Sequence, residues 1–356
     1  MKDAKVFNNI LIVRTDRIGD VVLTTPAIKA VRQSYPSSRV SVLVTPATSD
    51  LVNGNPYLDD ILLDDRCGRH KNPFGFLRLV QEIRSKQFDL AIIFHTKRRY
   101  NLACYLAGIP CRLGYKDKNF GYLLTDPLKD ERPLGKKHEA QYCMDLLKPI
   151  GIEEGGLDIF VPMQKEADDW AMNWILENNL MPNEFIAIHP GASDPTKCWP
   201  AANFASLMDS LAERYALKIV LIGAAQTSIL AQDILRQTRH PDQYLDLTGK
   251  TRLAQTVSLL RRTRILISND SGPVHVAAGV GTNVISLFLR DQPGINAERW
   301  RPLGDKSYIL KNEAGEEIKL DSKCKAVSGQ PGSISVEKVL EAVEQILHKD
   351  GQYEIF

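Results

Sequence analysis

Four short segments of the 356-residue chain combine small residues, hydroxyls and charges in a way that suits an anionic ligand. The first is Arg14-Thr15-Asp16-Arg17-Ile18-Gly19-Asp20. Gly19 permits close backbone approach, and Asp20 falls at or near the start of a helix, where it either caps that helix or, like Asp16, acts as a general base towards a ligand. The second runs from His189 to Pro200 through Gly191, Ala192, Ser193, Thr196, Lys197 and Trp199. Backbone N–H groups, the Ser193 or Thr196 hydroxyl and the Lys197 ammonium suit a phosphate there; otherwise Lys197 is a solvated loop residue and Trp199 a packing anchor. The third is Asn269-Asp270-Ser271-Gly272-Pro273-Val274-His275, followed by small residues. Asp270 can cap, Ser271 and Gly272 can offer N–H groups to an anion, and His275 shares a face with Ser271 or else belongs to the core. The fourth, Leu289-Arg290-Asp291-Gln292-Pro293-Gly294, carries Arg290 as a phosphate partner or a surface charge.

What is missing narrows the chemistry. The chain has no G-x-G-x-x-G dinucleotide fingerprint, no D-x-D for a metal-held pyrophosphate and no G-x-S-x-G nucleophile elbow. Phosphate recognition by backbone and lysine remains, with a carboxylate from the other half of the chain.

Each of these segments follows a short apolar run, and the alternation of such runs with helically spaced stretches predicts an α/β fold with parallel sheets. In the first half the strands are expected at 9–14, 40–45, 60–63, 88–94 and 111–114, with helices at 21–34, 76–86, 100–107 and 139–150. The pattern restarts with strands at 185–189, 218–223, 243–247, 265–268 and 283–288. Two Rossmann-like domains in tandem follow, divided near residue 160 in a junction containing Gly155-Gly156 and Pro162. A Gly/Ser/Pro stretch at 328–335 precedes an amphipathic helix expected at 336–347. In open sheets of this kind, ligands bind at the carboxyl ends of the strands, which is where the four segments lie.

With 45 Lys and Arg against 43 Asp and Glu, the net charge of +2 argues against a dedicated nucleic-acid binder. The six cysteines, at 67, 104, 111, 143, 198 and 324, form no C-x-x-C pair or zinc pattern and fit a reducing compartment. The opening residues do not read as a signal peptide, and no apolar run reaches the roughly 18 residues of a spanning helix. The expected location is therefore the cytoplasm, with any membrane contact peripheral.

Taken together, Arg14-x-Asp16-x-x-Gly19-Asp20 with Pro26-Ala27, His189-Pro190-Gly191-Ala192 with Lys197-x-Trp199-Pro200, Leu247-x-Gly249-Lys250-Thr251, and Asn269-Asp270-Ser271-Gly272-Pro273-x-His275-x-Ala277-Ala278 resemble glycosyltransferase family 9, the heptosyltransferases of lipopolysaccharide core assembly. The resemblance implies a GT-B architecture: an acceptor-binding domain over 1–160 and a nucleotide-sugar-binding domain over 161–356, with the sheets facing across a cleft. It further implies inversion at the anomeric carbon, no metal or other cofactor, ADP-heptose as donor co-substrate and an anionic lipopolysaccharide core as acceptor. Asp20 matches the catalytic base and Lys197 the lysine that stabilises the leaving diphosphate. Gly191, Ala192, Ser193, Thr196, Gln226, Asp270, Ser271, Gly272 and His275 fall in the donor loops. Gln226 stands near the place of a family glutamate, and Leu289 follows Phe288 where glycine is common. Asp16, Gly19 and the cluster Lys97-Arg98-Arg99 are the expected acceptor residues, the cluster being either a partner for anionic sugar or solvated surface charge. Lys136-Lys137-His138 carries the same two readings. Two other activities stay open, a nucleotide-sugar epimerase or hydrolase and a non-catalytic nucleotide-sugar binder.

Overall fold

The structure is a computed structural model that describes residues 6–116, 118–153, 155–215, 217–312 and 334–349. It divides into two compact units, Met1–Pro162 and Met163–Phe356. Unit 1 contains strands β1 (Asn9–Val13), β2 (Arg39–Val44), β3 (Asp60–Leu63), β4 (Leu90–Ile93), β5 (Cys111–Lys116) and β6 (Asp126–Lys129). Its helices are α1 (Ile18–Val22), α2 (Thr25–Ser34), α3 (Pro73–Ser85), α4 (Arg98–Leu106) and α5 (Glu139–Asp145). Unit 2 contains β7 (Phe185–His189), β8 (Lys218–Leu221), β9 (Leu245–Asp246), β10 (Ile265–Asn269), β11 (Asn283–Phe288) and β12 (Ser307–Lys311). Its helices are α6 (Lys165–Glu177), α7 (Ala201–Tyr215), α8 (Ser228–Gln237), α9 (Leu253–Arg261), α10 (Gly272–Gly279), α11 (Ala297–Trp300) and α12 (Val336–Lys349).

Both sheets are wholly parallel, and both have the same strand order. Unit 1 runs β3-β2-β1-β4-β5-β6 and unit 2 runs β12-β11-β10-β7-β8-β9, which is the Rossmann order read from the opposite edge. In each, the chain builds outward from its first strand and then returns to that strand's other side. The topological switch points therefore lie between β1 and β4, in register Ile10↔Leu90 to Val13↔Ile93, and between β7 and β10. Loops leaving those strands part in opposite directions, which leaves a crevice at the carboxyl edge of each sheet.

The strands at the switch points read as continuous apolar runs because helices cover both faces. In unit 1, Leu11, Val13, Ala91 and Ile93 pack with Leu79 and Ile83 of α3 and with Ala103 and Cys104 of α4. In unit 2, Ile186, Ile188, Ile265 and Ile267 pack with Phe204 and Leu207 of α7 and with Val339 and Val343 of α12. Burying one such side chain contributes about 1.5–3 kcal/mol, so these cores hold the crevice-lining loops on a rigid base. The docking of the terminal helix on unit 2 follows from its apolar face.

Three expectations need correction. The stretch expected as one helix over 21–34 is two helices. Pro26 has no N–H to give to the carbonyl of Val22, and the Thr25 hydroxyl bonds that carbonyl instead, at 2.7 Å. The helix expected to run to 150 ends at Asp145, followed by a 3₁₀ turn at Lys148–Ile150 that contains Pro149. Strands β6 and β12 went unpredicted. Both are edge strands: β6 has only Pro127 and Leu128 as apolar residues, while β12 carries the short run Tyr308-Ile309-Leu310, which the sequence reading passes over. The 328–335 stretch, up to residue 333, and Cys324 lie outside the described residues. The five described cysteines are free thiols, and among the described residues no helix is long and apolar enough to cross a membrane.

Candidate active site

The loop after β1 is organised by a buried guanidinium. Arg14 is 1% exposed and sits at the end of the strand, where its Nη1 donates to the carbonyl of Phe94 on the β4 loop at 3.0 Å. Its Nη2 donates to Asp20 Oδ1 at 2.6 Å and to Glu139 Oε1 at 2.9 Å, while Nε lies 3.1 Å from Asp16 Oδ1. One cation thus faces three carboxylates. Asp20 does not cap its helix: the N-cap position of α1 is Arg17, and no side chain caps it. Asp20 occupies the first turn with its carboxylate turned to Arg14, and Gly19 is buried beside it. The capping alternative is thereby replaced by an ion-paired carboxylate.

The electrostatics separate the two aspartates. Burial would raise Asp16, but the Arg14 charge holds it below the usual carboxylate range. For Asp20, burial, reinforced by the negative charges of Asp16 and Glu139, outweighs Arg14 and pushes the carboxyl up to about 6. Across the switch point, burial pushes His95 down to about 3, so its ring is neutral, and its Nε2 lies 2.9 Å from the Thr15 hydroxyl. Such a pair of neighbouring carboxylates with divergent proton affinities is the pattern of an acid–base site.

Exposed cations lie near this pair. Lys97 projects from the β4 loop, with Arg17 and Arg66 exposed nearby, and the Arg66 guanidinium donates to the carbonyl of Thr15 at 3.3 Å. Arg98, exposed at the start of α4, donates instead to Asn119 Oδ1 at 3.3 Å and lies over the Phe120 ring. Desolvation, together with the charge of Arg66, draws the Lys97 ammonium down. Arg99 is different. It forks onto buried Asp64 at 2.8 and 2.9 Å and donates to the His70 carbonyl at 2.9 Å, so it braces α4 against the β3 loop. The structure likewise ties down Lys137 and His138, the first by Asp145 at 2.6 Å and the second as the cap of α5, with Nδ1 accepting from Ala140 N at 3.2 Å. Sequence reasoning missed Arg17, Arg66 and Glu139. Glu139 had one local signal, its place in the first turn of a helix.

In unit 2 the loops after β7 and β10 are stapled by buried Asn269, which donates to the Pro190 carbonyl at 2.6 Å and accepts from Trp199 N at 2.9 Å. Trp199 itself is core: it packs edge-on against Phe204, and its indole N–H donates to the Ile334 carbonyl at 2.9 Å. The staple brings Lys197 to Asp270, and the two form an ion pair with side chains 14% and 7% exposed. Burial raises Asp270 despite that ammonium. Ser271 occupies the N-cap position of α10 but does not cap it. Its hydroxyl lies 3.1 Å from His189 Nδ1 and 3.1 Å from Ser268 Oγ, so the Gly272 N–H receives no side-chain cap; Pro273 has no N–H, and Val274 N donates to the Ser271 carbonyl at 3.2 Å. Gly272 and Pro273 open that helix, His275 is buried within it, and burial lowers His189 to about 4.

The remaining donor-loop residues divide by position. Gly191 is buried where a Cβ would come 2.8 Å from Thr227 Oγ1, so the β7 loop passes close to the β8 loop only as glycine. Ala192 is half-buried, Ser193 is exposed, and Gln226 is exposed on the 3₁₀ turn Ala225–Thr227. The Thr196 hydroxyl is engaged by Asp194 at 2.7 Å, and Asp194 is held in turn by Arg290 at 2.9 Å. Leu289 is buried in the unit 2 core. Among the described residues no group of three or more His, Cys, Asp or Glu side chains is placed to hold a metal ion.

Comparison with known proteins agrees with this arrangement of strands and loops. The chain is 25% identical over 348 residues to lipopolysaccharide heptosyltransferase 3 of Escherichia coli, covering 93% of this chain and 96% of that protein. A family 9 glycosyltransferase structure from Veillonella parvula superposes with a TM-score of 0.83 at 22% identity, covering 96% of this chain and 98% of the other. The E. coli ADP-heptose heptosyltransferase II structure gives 0.76 at 22% identity, covering 96% and 99%. The architecture is thus the α/β GT-B fold that the motif resemblance implied. The sequence profile of glycosyltransferase family 9 (heptosyltransferase) matches residues 76–328, and the chain belongs to that family of enzymes.

Proposed function

We propose that the protein transfers heptose from ADP-heptose to an anionic sugar of a lipopolysaccharide core, with inversion at the anomeric carbon and without a metal ion. Unit 1 binds the acceptor and unit 2 the nucleotide-sugar. The observation that carries the reading is the Asp20 carboxylate, 14% exposed at the first switch point, its proton affinity raised to about 6 in a family 9 enzyme. Near neutral pH such a group is ionised yet basic enough to take a proton from an attacking hydroxyl.

In this mechanism the acceptor hydroxyl gives its proton to Asp20 as its oxygen forms a bond to the anomeric carbon. The bond from that carbon to the diphosphate oxygen breaks, and the electron pair leaves with the nucleoside diphosphate. Lys197 and the Gly272 N–H at the start of α10 stabilise the charge that develops there. Gly191, Ala192, Ser193, Thr196, Gln226, Asp270, Ser271, Gly272 and His275 form the donor side. On the acceptor side, Lys97 and Arg98 meet anionic sugar with Asp16 and Gly19, and Arg17 and Arg66 strengthen the same field, while Arg99 contributes through its brace on Asp64.

The decisive measurement is transfer from ADP-heptose to a heptose-deficient core oligosaccharide, with EDTA present. Product mass, ADP release and the anomeric configuration of the new linkage are read together. Acceptor-dependent release with inverted configuration is expected; release equal with and without acceptor would instead indicate a hydrolase, and loss of turnover in EDTA would refute metal independence.

The acceptor is lipid-linked, so we further propose cytoplasmic action at the membrane face. Support comes from α3, which begins at the carboxyl edge of the unit 1 sheet and exposes Phe74 (82%) and Leu77 (54%) beside exposed Lys71 and Arg78. The double variant Phe74→Ser/Leu77→Ser should lose most co-sedimentation with anionic vesicles while keeping transfer to a water-soluble core. Unchanged sedimentation would remove α3 from that role.

A further inference from the structure

We propose that Glu139 is a positioning residue for Asp20, acting through the guanidinium of Arg14. The proposal rests on the reading of Asp20 as acceptor base and adds to it a residue from the far end of unit 1. Arg14 and Asp20 belong to one loop, but Glu139 arrives 125 residues later on the first turn of α5. That turn is rigid, because His138 Nδ1 accepts from Ala140 N at 3.2 Å and Gln141 Oε1 accepts from His138 N at 3.0 Å. The Glu139 carboxylate is therefore held where Arg14 Nη2 must divide itself between Oε1 of Glu139 at 2.9 Å and Oδ1 of Asp20 at 2.6 Å.

Neutralising a buried arginine requires one carboxylate. A second, Asp16, is already 3.1 Å from Nε, and a third that is 1% exposed brings a like charge close to Asp20. Burial at that cost needs a reason beyond packing. A guanidinium offers its donors in a fixed fork, so sharing Nη2 prevents the full clamp on Asp20 that would make it a weak base. It also fixes the Asp20 side chain on one side, leaving its other oxygen for the substrate proton. The charged groups facing Asp20 are Arg14 and Asp16 from its own loop, Glu139 from α5 and Lys97 from the β4 loop. Arg132, whose Nη1 donates to the same Phe94 carbonyl at 2.8 Å, faces Glu139 from the other side and is itself forked onto Asp130, and the His95 ring is uncharged. Burial pushes the Cys143 thiol up to about 12, so it adds no charge.

The test is the pH profile of kcat/KM for Glu139→Gln, which keeps the shape and an oxygen acceptor but removes the charge. The acidic limb should move to lower pH by about half a unit, and kcat near neutrality should fall about two- to threefold as the base weakens, with the KM for the nucleotide-sugar unchanged. A purely structural role lowers the melting temperature and the active fraction but leaves the midpoint of the acidic limb in place, and that result overturns the proposal. Glu139→Asp, which retracts the charge by one methylene, should shift the limb in the same direction by less; it carries the test should the glutamine variant not fold. Asp20→Asn measured alongside separates the two failures. If that variant is inactive while the Glu139 profiles superimpose on wild type, only the positioning role is lost; if it stays active, the base assignment fails first.

Discussion

Replacing Asp20 by Asn should lower kcat by about 10²–10⁴-fold, the range expected for loss of a general base, while nucleotide affinity stays within about twofold. The split follows from where Asp20 sits, in the first turn of α1 beside Arg14, in the unit assigned to the acceptor. In the wild type, kcat/KM should fall below a midpoint near pH 6, because protonating Asp20 removes the base. A stability measurement guards against misfolding as the cause. Since the folded-state affinity of Asp20 for its proton lies above the unfolded value, the folded chain holds more protons through the window between about pH 4 and 6. This group's contribution is then fully present below that window and lost as pH rises through it. Above pH 6 the ionised carboxylate is therefore a burden, and the asparagine variant should melt at or above the wild-type temperature there. Near wild-type turnover, or a sharp fall in melting temperature accompanying the lost activity, would each contradict the assignment.

Lys197→Ala should weaken nucleotide-diphosphate binding and lower kcat by roughly 10²-fold or more, since it removes a preorganised cation from the leaving group. The structure makes the consequence double-edged. Lys197 is paired with Asp270, and removing only the ammonium leaves a carboxylate with a 7% exposed side chain beside the start of α10, where we propose the diphosphate binds. Part of the loss is then repulsion from Asp270 and the cost of an uncompensated buried charge. Adding Asp270→Asn to Lys197→Ala should accordingly restore nucleotide affinity by about three- to tenfold without restoring kcat. Affinity measured by calorimetry and turnover measured on the same preparations resolve the two effects. If the double variant binds no better than Lys197→Ala, Asp270 does not oppose the diphosphate, and its pairing with Lys197 serves only to hold the loop.

The candidate site was legible in pieces. The loops after β1, β7 and β10 stand out because glycine, hydroxyl and charged residues follow apolar runs, a contrast written in consecutive residues. The same local reading treated Lys97-Arg98-Arg99 as one basic cluster, whereas the fold leaves the first two exposed and commits Arg99 to Asp64, 35 residues earlier on the β3 loop. It saw in Asp270 a residue able to cap a helix, and the resemblance put it in the donor loop; in the fold the carboxylate turns to Lys197, 73 residues away. Trp199 went the other way: the packing alternative is the one the core adopts.

By itself the sequence determined the alternation of strand and helix, two Rossmann-like halves, the family motifs and the loops that bear chemistry, since each is carried by periodicity or composition over a few neighbouring positions. Tertiary structure alone decided which charges answer one another. Strand order sets β4 beside β1 and β10 beside β7, and only then do the Phe94 carbonyl and Glu139 meet Arg14, and Asn269 and Asp270 meet the loop of Lys197. A carboxylate's proton affinity depends on burial and on charges within a few ångströms. The proton affinity of Asp20 was therefore not a property of its motif alone: burial in the folded unit raises it first, and Asp16 from its own loop and Glu139 from α5 add to that.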